Sequence, residues 1–180
     1  ERLLERGNNV VALKRATSNL CRVEHLLRMA FFYDLDKIPL EEIFAVNEIH
    51  TVIHTACCYG RKGENMSDLV AVNVVFPLRV LETSRKNNVK IFVNTDTVLN
   101  RETSPYSLSK AQFADWFPLF AEKMKIINLH LEHMYGPGDS EEKFLPRILE
   151  QMLTDVPYIP LTAGEQKRDF IYINDIVDAI

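Results

Sequence analysis

Glycine is scarce in this chain of 180 residues: there are 6, and the first 59 positions hold only Gly7. That excludes from the stretch a Gly-rich phosphate-cradling turn, whose close backbone approach depends on residues without a Cβ. Cysteine is scarcer. Cys21, Cys57 and Cys58 are odd in number and lack metal-ligand spacing, so neither a disulfide framework nor a zinc site is expected, and reduced thiols packed beside apolar stretches are the simplest account. No apolar run approaches the roughly 20 residues that cross a bilayer. Charge of one sign is not concentrated either, since 21 Lys and Arg are interspersed with 25 Asp and Glu for a net charge of −4. Membrane and nucleic acid are therefore not the expected partners, and a small molecule is. There is no initiator Met and no signal-peptide core. The helical pattern that opens at Glu1 and the one that runs from Asp175 to Ile180 read as a chain cut at both ends.

What is present is an apolar content of 47%, enough for one substantial core. From residue 9, short β-branched runs alternate with segments of helical period, which predicts βαβ units and a parallel sheet in an α/β fold. Strands are expected at Val10–Leu13, Leu27–Phe32, Thr51–His54, Lys90–Asn94, Ile126–Leu131 and Phe170–Ile173. Their nearly continuous apolar character suits a sheet covered on both faces. Ser67 to Arg85 predicts one long packed helix. Ser104 is a good N-cap and Pro105 fits a first helical position, so a second helix starts there and runs past Trp116, with Pro118 ending or kinking it. A third helix is expected over roughly Glu141 to Leu153, after the turn Gly136-Pro-Gly-Asp139.

Tyr106 and Lys110 stand four apart near the start of the second helix, on one face and a turn apart. An ammonium beside a phenol favours the phenolate, which prepares the phenol to exchange a proton with a substrate hydroxyl or ketone. Thr95 ends a strand just upstream, at the carboxyl edge where parallel α/β sheets bind ligands. Each residue also has a plainer reading. Tyr106 suits a half-buried aromatic, Lys110 a solvated charge, His54 a backbone contact, Asn73 a structural hydrogen bond, and Arg168 an ion pair with Asp169 or Asp175.

Taken in order, Thr95 followed by Tyr106-Ser-Leu-Ser-Lys110 resembles the Ser/Thr and YxxxK triad of extended short-chain dehydrogenases, the NAD-dependent epimerase/dehydratase family. Val52-Ile-His-Thr-Ala56, Tyr33-Asp-Leu-Asp36, Asn73, Tyr135-Gly-Pro-Gly138 and the segment Arg168 to Asp175 resemble further family motifs along nearly the whole chain. The resemblance implies a Rossmann-type doubly wound parallel sheet lacking its first strand and Gly-rich loop. The expected domains are a partial NAD(P)-binding domain at 1–135 and a partial substrate-binding region at 136–180, interleaved with the last Rossmann strand. It further implies catalysis by Tyr106, Lys110 and Thr95. Cofactor contacts are implied for Lys14, Arg15, Asp34, Leu35, His54, Ala56, Asn73, Tyr106 and Lys110. Substrate contacts are implied for Asp96, Thr97, His133 and Arg168, and no metal is implied.

Lys14 and Arg15 end the second family strand where an acidic residue would select NAD, so NADP(H) is expected in preference to NAD(H). Sugar 4,6-dehydratases of the family follow the Thr with an Asp-Glu pair, whereas here Asp96 is followed by Thr97, a poor base, which disfavours dehydration. His133 stands where the wider family has Asn. Within the family the chain looks most like reductases of the CDP-abequose and CDP-paratose synthase type. Reduction of a CDP-4-keto-deoxyhexose is the expected reaction, with NDP-sugar 4-epimerisation as the alternative. A non-catalytic NAD(P)-binding regulator and an inactive fragment are the readings of another class. A cytoplasmic protein that is a homodimer when intact is expected, and for the chain as it stands, weak or absent cofactor binding.

Overall fold

The computed structural model describes residues 1–180 except Lys62 and Asp155. In chain order the elements are α1 (Arg2–Glu5), β1 (Val11–Lys14), β2 (Phe31–Asp34), α2 (Leu40–Val46), β3 (Thr51–His54), α3 (Met66–Val70), a π-helical segment Ala71–Val75, and α4 (Phe76–Lys86). They continue with β4 (Ile91–Thr97), α5 (Pro105–Ala114), β5 (Lys125–Leu131), β6 (His133–Tyr135), α6 (Phe144–Leu153), β7 (Phe170–Tyr172) and α7 (Ile173–Ala179). From β2 to β5 strands and helices alternate as the sequence predicts. Among the described residues the strands form three sheets, β1-β2, β3-β4-β5 and β6-β7. The pairs β1/β2, β3/β4 and β6/β7 are parallel.

The expected strand at Leu27–Phe32 begins later, at Phe31, because Leu27 to Ala30 are taken up in turns: Met29 and Ala30 both donate to the Leu26 carbonyl. α2 is an addition to the elements expected from the sequence. It is only 7 residues long, yet Leu40, Ile43 and Phe44 recur at helical spacing and all three are buried.

The stretch expected as one helix over Ser67–Arg85 is helical throughout but changes register in its middle. Pro77 has no N–H to offer the carbonyl of Asn73 four residues earlier, so a regular α-helix cannot continue through it. The chain widens instead, and the Phe76 N–H donates to the carbonyl of Ala71, five residues back. α5 starts at Pro105 behind its Ser104 cap as expected, but it ends at Ala114. A short 3-10 turn, Phe117–Leu119, follows around Pro118.

Two compact units are formed, Glu1–Leu129 and His130–Ile180. The core of the first joins Leu40 and Phe44 of α2, Val80 and Leu81 of α4, Phe92 of β4 and Phe113 of α5, with Val89, Phe120 and Met124. Leu81, Phe92 and Phe113 are wholly inaccessible, and each such side chain contributes about 1.5–3 kcal/mol. This core holds the carboxyl ends of β3 and β4 against α5. In the second unit the β6/β7 register sets His133 opposite Phe170 and Tyr135 opposite Tyr172, so their rings lie 5.6 Å and 5.5 Å apart. Gly136 follows, where Ile173 and Tyr172 press so close that a Cβ would collide with Ile173.

Candidate active site

α5 brings its functional face to the sheet through a firmly capped start. Ser104 accepts from the Ser107 N–H at 3.1 Å, and the Ser107 hydroxyl accepts from the Ser104 N–H at 3.0 Å. Such a box stabilises a helix start by about 1 kcal/mol. One turn in, Tyr106 is half-buried and Lys110 is buried, with 2% of its surface exposed. The β3/β4 register pairs His54 with Asn94, and the next residue, Thr95, donates its hydroxyl to the His54 carbonyl at 3.1 Å. Asp96 follows, buried, accepting from the Thr97 N–H at 2.8 Å and from Asn128 Nδ2 at 2.7 Å.

Electrostatics bind these residues into one site. Burial pulls the Lys110 ammonium below its ordinary lysine range, while Asp96, and after it Cys57, act upward. Burial likewise pushes the Tyr106 phenol above its ordinary range, and the negative charges that Cys57, Tyr59 and Asp96 can carry add to that, with Arg61 acting downward. From the sequence, Lys110 is expected to bring the phenol down. In the structure desolvation outweighs any such effect, which is the physical reason for the difference. The Tyr59 ring packs on that of Tyr106 with centroids 4.9 Å apart, and the Arg61 guanidinium lies 5.6 Å from the Tyr59 centroid.

Asn73, turned inward by the π-helical segment and 1% exposed, accepts from the Cys58 N–H at 2.7 Å and donates to the Cys58 carbonyl at 2.8 Å and to Ser109 Oγ at 2.9 Å. Ser109 in turn donates to the Tyr106 carbonyl at 2.8 Å. Asn73 thus ties the segment after β3 to α5. The ring of His54 belongs to the core, against Phe76, Phe92 and Phe113 at 5.8–6.3 Å, so the strand end presents its backbone. Ala56 is exposed just beyond it.

At the carboxyl ends of β1 and β2 the register sets Lys14 beside Asp34, and their side chains bond at 3.1 Å. Burial acts to raise the Asp34 carboxyl. The Lys14 hydrogen bond, the Asp36 N–H and the charges of Lys14 and Lys37 outweigh it and hold the group below its ordinary range. Arg15 is 68% exposed and 3.7 Å from Asp36. Leu35 is half-buried, packed on the core. In the second unit His133 is exposed and Arg168 is exposed, donating to the Lys167 carbonyl at 3.1 Å. The cysteines are free thiols: Cys21 is exposed and Cys57 and Cys58 are half-buried. Among the described residues no group of His, Cys, Asp and Glu could hold a metal ion, and no helix is long and apolar enough to cross a membrane.

Asn128, Ser109, Tyr59 and Arg61 were not among the residues the sequence suggested. Asn128 carried a signal, an amide inside the apolar run Ile126-Ile-Asn-Leu129. Ser109 lies within the Tyr-Lys motif itself. Tyr59 and Arg61 carried none.

Parallel strand pairs alternating with helices, with a Tyr and a buried Lys one turn apart on α5, are the arrangement of a Rossmann-type protein. The chain belongs to the NAD dependent epimerase/dehydratase family, which it matches over residues 1–180. It is 31% identical to the CDP-abequose synthase of Salmonella muenchen and 32% identical to that of Salmonella typhimurium, over 98% and 99% of this chain. It spans 62% of the length of each. The crystal structure of UDP-glucose 4-epimerase with UDP-glucose from Thermotoga maritima superposes with a TM-score of 0.81 at 26% identity, over 99% of this chain and 66% of that one.

Proposed function

We propose that the protein is an NADP(H)-dependent sugar-nucleotide reductase that acts on a CDP-4-keto-deoxyhexose. The observation that carries this reading is the Tyr106–Lys110–Thr95–Asp96 cluster at the strand ends, in a chain 31–32% identical to two CDP-abequose synthases. The chain's residues fit the cofactor at its two ends. Asp34, Leu35 and the exposed Arg15 suit the adenosine side, with Lys14 already committed to Asp34. Tyr106 and Lys110, with Ala56 and the backbone of His54 at the end of β3, suit the nicotinamide side. Asn73 acts there by holding the Cys58 segment in place. The preference for NADP(H) over NAD(H) rests on Arg15, a loosely paired guanidinium able to meet a 2′-phosphate.

When bound, the cofactor supplies a hydride to the ketone carbon. Tyr106 supplies the proton to the ketone oxygen, and Thr95 orients that oxygen once its hydroxyl turns from the His54 carbonyl. The positive charge of Lys110 stabilises the phenolate that remains. Asp96 and Thr97 border the substrate; the second unit, taken by itself, offers the exposed His133 and the exposed Arg168, a guanidinium suited to a diphosphate. A cytoplasmic setting fits the three free thiols. Self-association as a homodimer is supported by an apolar groove of about 540 Å³ lined by Val70, Val74, Gln112, Asp115, Trp116 and Leu119, none of them a site residue.

The test is turnover by the full-length protein of CDP-4-keto-3,6-dideoxyglucose with NADPH, followed by mass spectrometry. A two-hydrogen gain is expected, reduced roughly 10²–10⁴-fold in Tyr106→Phe. The likeness to UDP-glucose 4-epimerase favours a second reading, epimerisation. Interconversion of a fully reduced NDP-sugar without net consumption of NADPH would replace the reductase with it.

A further inference from the structure

Tyr59, in the segment after β3, leaves 51% of its surface exposed, yet the backbone is fixed on both sides of it. Before it, Asn73 engages the N–H and the carbonyl of Cys58, at 2.7 Å and 2.8 Å. After it, Gly60 takes a left-handed φ of +69° and lies so close to Leu69 that a Cβ would stand 2.8 Å from Leu69 Cδ1. Leu69 is itself buried, with 3% of its surface exposed. Asn73 and Leu69 therefore anchor this turn without help from the Tyr59 ring. The ring packs instead on that of Tyr106, with centroids 4.9 Å apart and planes inclined by 32°, the geometry of a favourable aromatic pair. The Arg61 guanidinium, 5.6 Å from the Tyr59 centroid, is within cation–π range of the same ring.

Tyr106 needs such a contact. Its backbone is set by α5, where Ser109 Oγ donates to the Tyr106 carbonyl at 2.8 Å, but a helix still leaves a side chain a choice of χ1 rotamers. A phenol that gives its proton to a substrate cannot be oriented through that same hydroxyl, so its orientation has to come from contacts on the ring. Asn73 bonds to the backbone beside each ring's origin: to Cys58 before Tyr59, and to Ser109 on the helix of Tyr106. The fold thus sets the spacing at which the two rings meet. We propose that Tyr59 is a positioning residue whose ring holds the Tyr106 ring in the rotamer that carries the phenol to the reacting oxygen of the substrate. The proposal rests on the reading of Tyr106 as the proton donor and adds the contact that orients it. The flat ring of Tyr59 is what this role requires, and its hydroxyl is not.

The experiment compares Tyr59→Ala and Tyr59→Phe in the full-length protein by two measurements. The first, in the ligand-free protein, is the NMR coupling between the α and β protons of Tyr106, assigned by its loss in Tyr106→Phe, which reports the χ1 rotamer. One rotamer is expected in the parent and in Tyr59→Phe, and averaging over several in Tyr59→Ala. The second is steady-state turnover: kcat falls roughly 10–10²-fold in Tyr59→Ala with KM within about twofold of the parent, and Tyr59→Phe restores it. A single unchanged rotamer in Tyr59→Ala overturns the proposal, and so does an unchanged kcat where Tyr106→Phe is inactive. A raised KM at that unchanged kcat would make Tyr59 a substrate contact instead. Should Tyr59→Ala fail to fold, Tyr59→Leu keeps apolar bulk without a ring face and is judged by the same outcomes. Failure of the proton-donor reading shows elsewhere, as retained turnover in Tyr106→Phe, whereas the rotamer is measured without turnover.

Discussion

His54 shows what burial does to a single titratable group. Its ring is 5% exposed, and burial, followed by the nearby Lys110 charge, lowers its pKa from 6.5 to about 4. The unfolded chain takes up the proton first as pH falls, so between pH 6.5 and about 4 the unfolded state holds more protons and stability rises with pH. The contribution is complete above pH 6.5 and is lost as pH falls toward 4, a loss on the order of 3 kcal/mol. Urea denaturation at pH 7.5 and pH 4.5 is expected to show this difference, and His54→Leu to remove most of it. An undiminished difference in the variant would assign the acid sensitivity to other groups. The sequence placed His54 at a strand end beside the site, but three phenylalanines from α4, β4 and α5 make the ring a core residue. A strand-end position is local information, and those neighbours come from residues 22 to 59 positions further along.

At the scale of elements, the helical stretch from Met66 to Lys86 matters most for the site. Its helical character is legible from the apolar spacing, which predicts one helix straight through Pro77, an obstacle to a regular α-helix. How the chain accommodates that obstacle was not legible, because a kink, a break and a π-helical segment all satisfy a missing N–H. The π-helical segment aims Asn73 at Cys58 and Ser109, where it makes three hydrogen bonds. Asn73→Leu leaves the Cys58 N–H and carbonyl without these partners. The expected cost is about 3 kcal/mol of unfolding free energy, measured by urea denaturation at constant pH. A change below about 0.5 kcal/mol would mean that water replaces the amide. The register of β1 and β2 acts similarly: it sets Lys14 against Asp34, so of the two adjacent cations read from the sequence Arg15 is the one left loosely held.

For the molecule as a whole, the proposed self-association and cofactor binding are each tested at a surface. Trp116 is 42% exposed, Leu119 66% and Val70 41%, and all three line one groove. Apolar side chains gathered this way favour association. Sedimentation is expected to show a dimer that Trp116→Glu shifts to monomer, whereas a monomeric parent protein would refute the role of this face. The other surface is the proposed cofactor side. With Gly7 alone among the first 59 residues, the 180-residue chain has no glycine cradle there for a diphosphate. Calorimetric titration of the chain with NADPH is expected to show weak or no binding, and micromolar affinity would refute that expectation.

The sequence by itself determined the alternation of strands and helices, the family, and the Tyr106, Lys110 and Thr95 positions, because hydrophobic period, helix caps and a four-residue spacing are properties of neighbouring residues. Only the tertiary structure decided that Lys110 is buried, that Asn128 joins Asn94 to the Asp96 carboxylate across two strands, and that the phenol of Tyr106 is pushed up. Those outcomes depend on desolvation and on contacts between residues 32 to 47 positions apart, which strand register and helix packing create and local spacing does not encode.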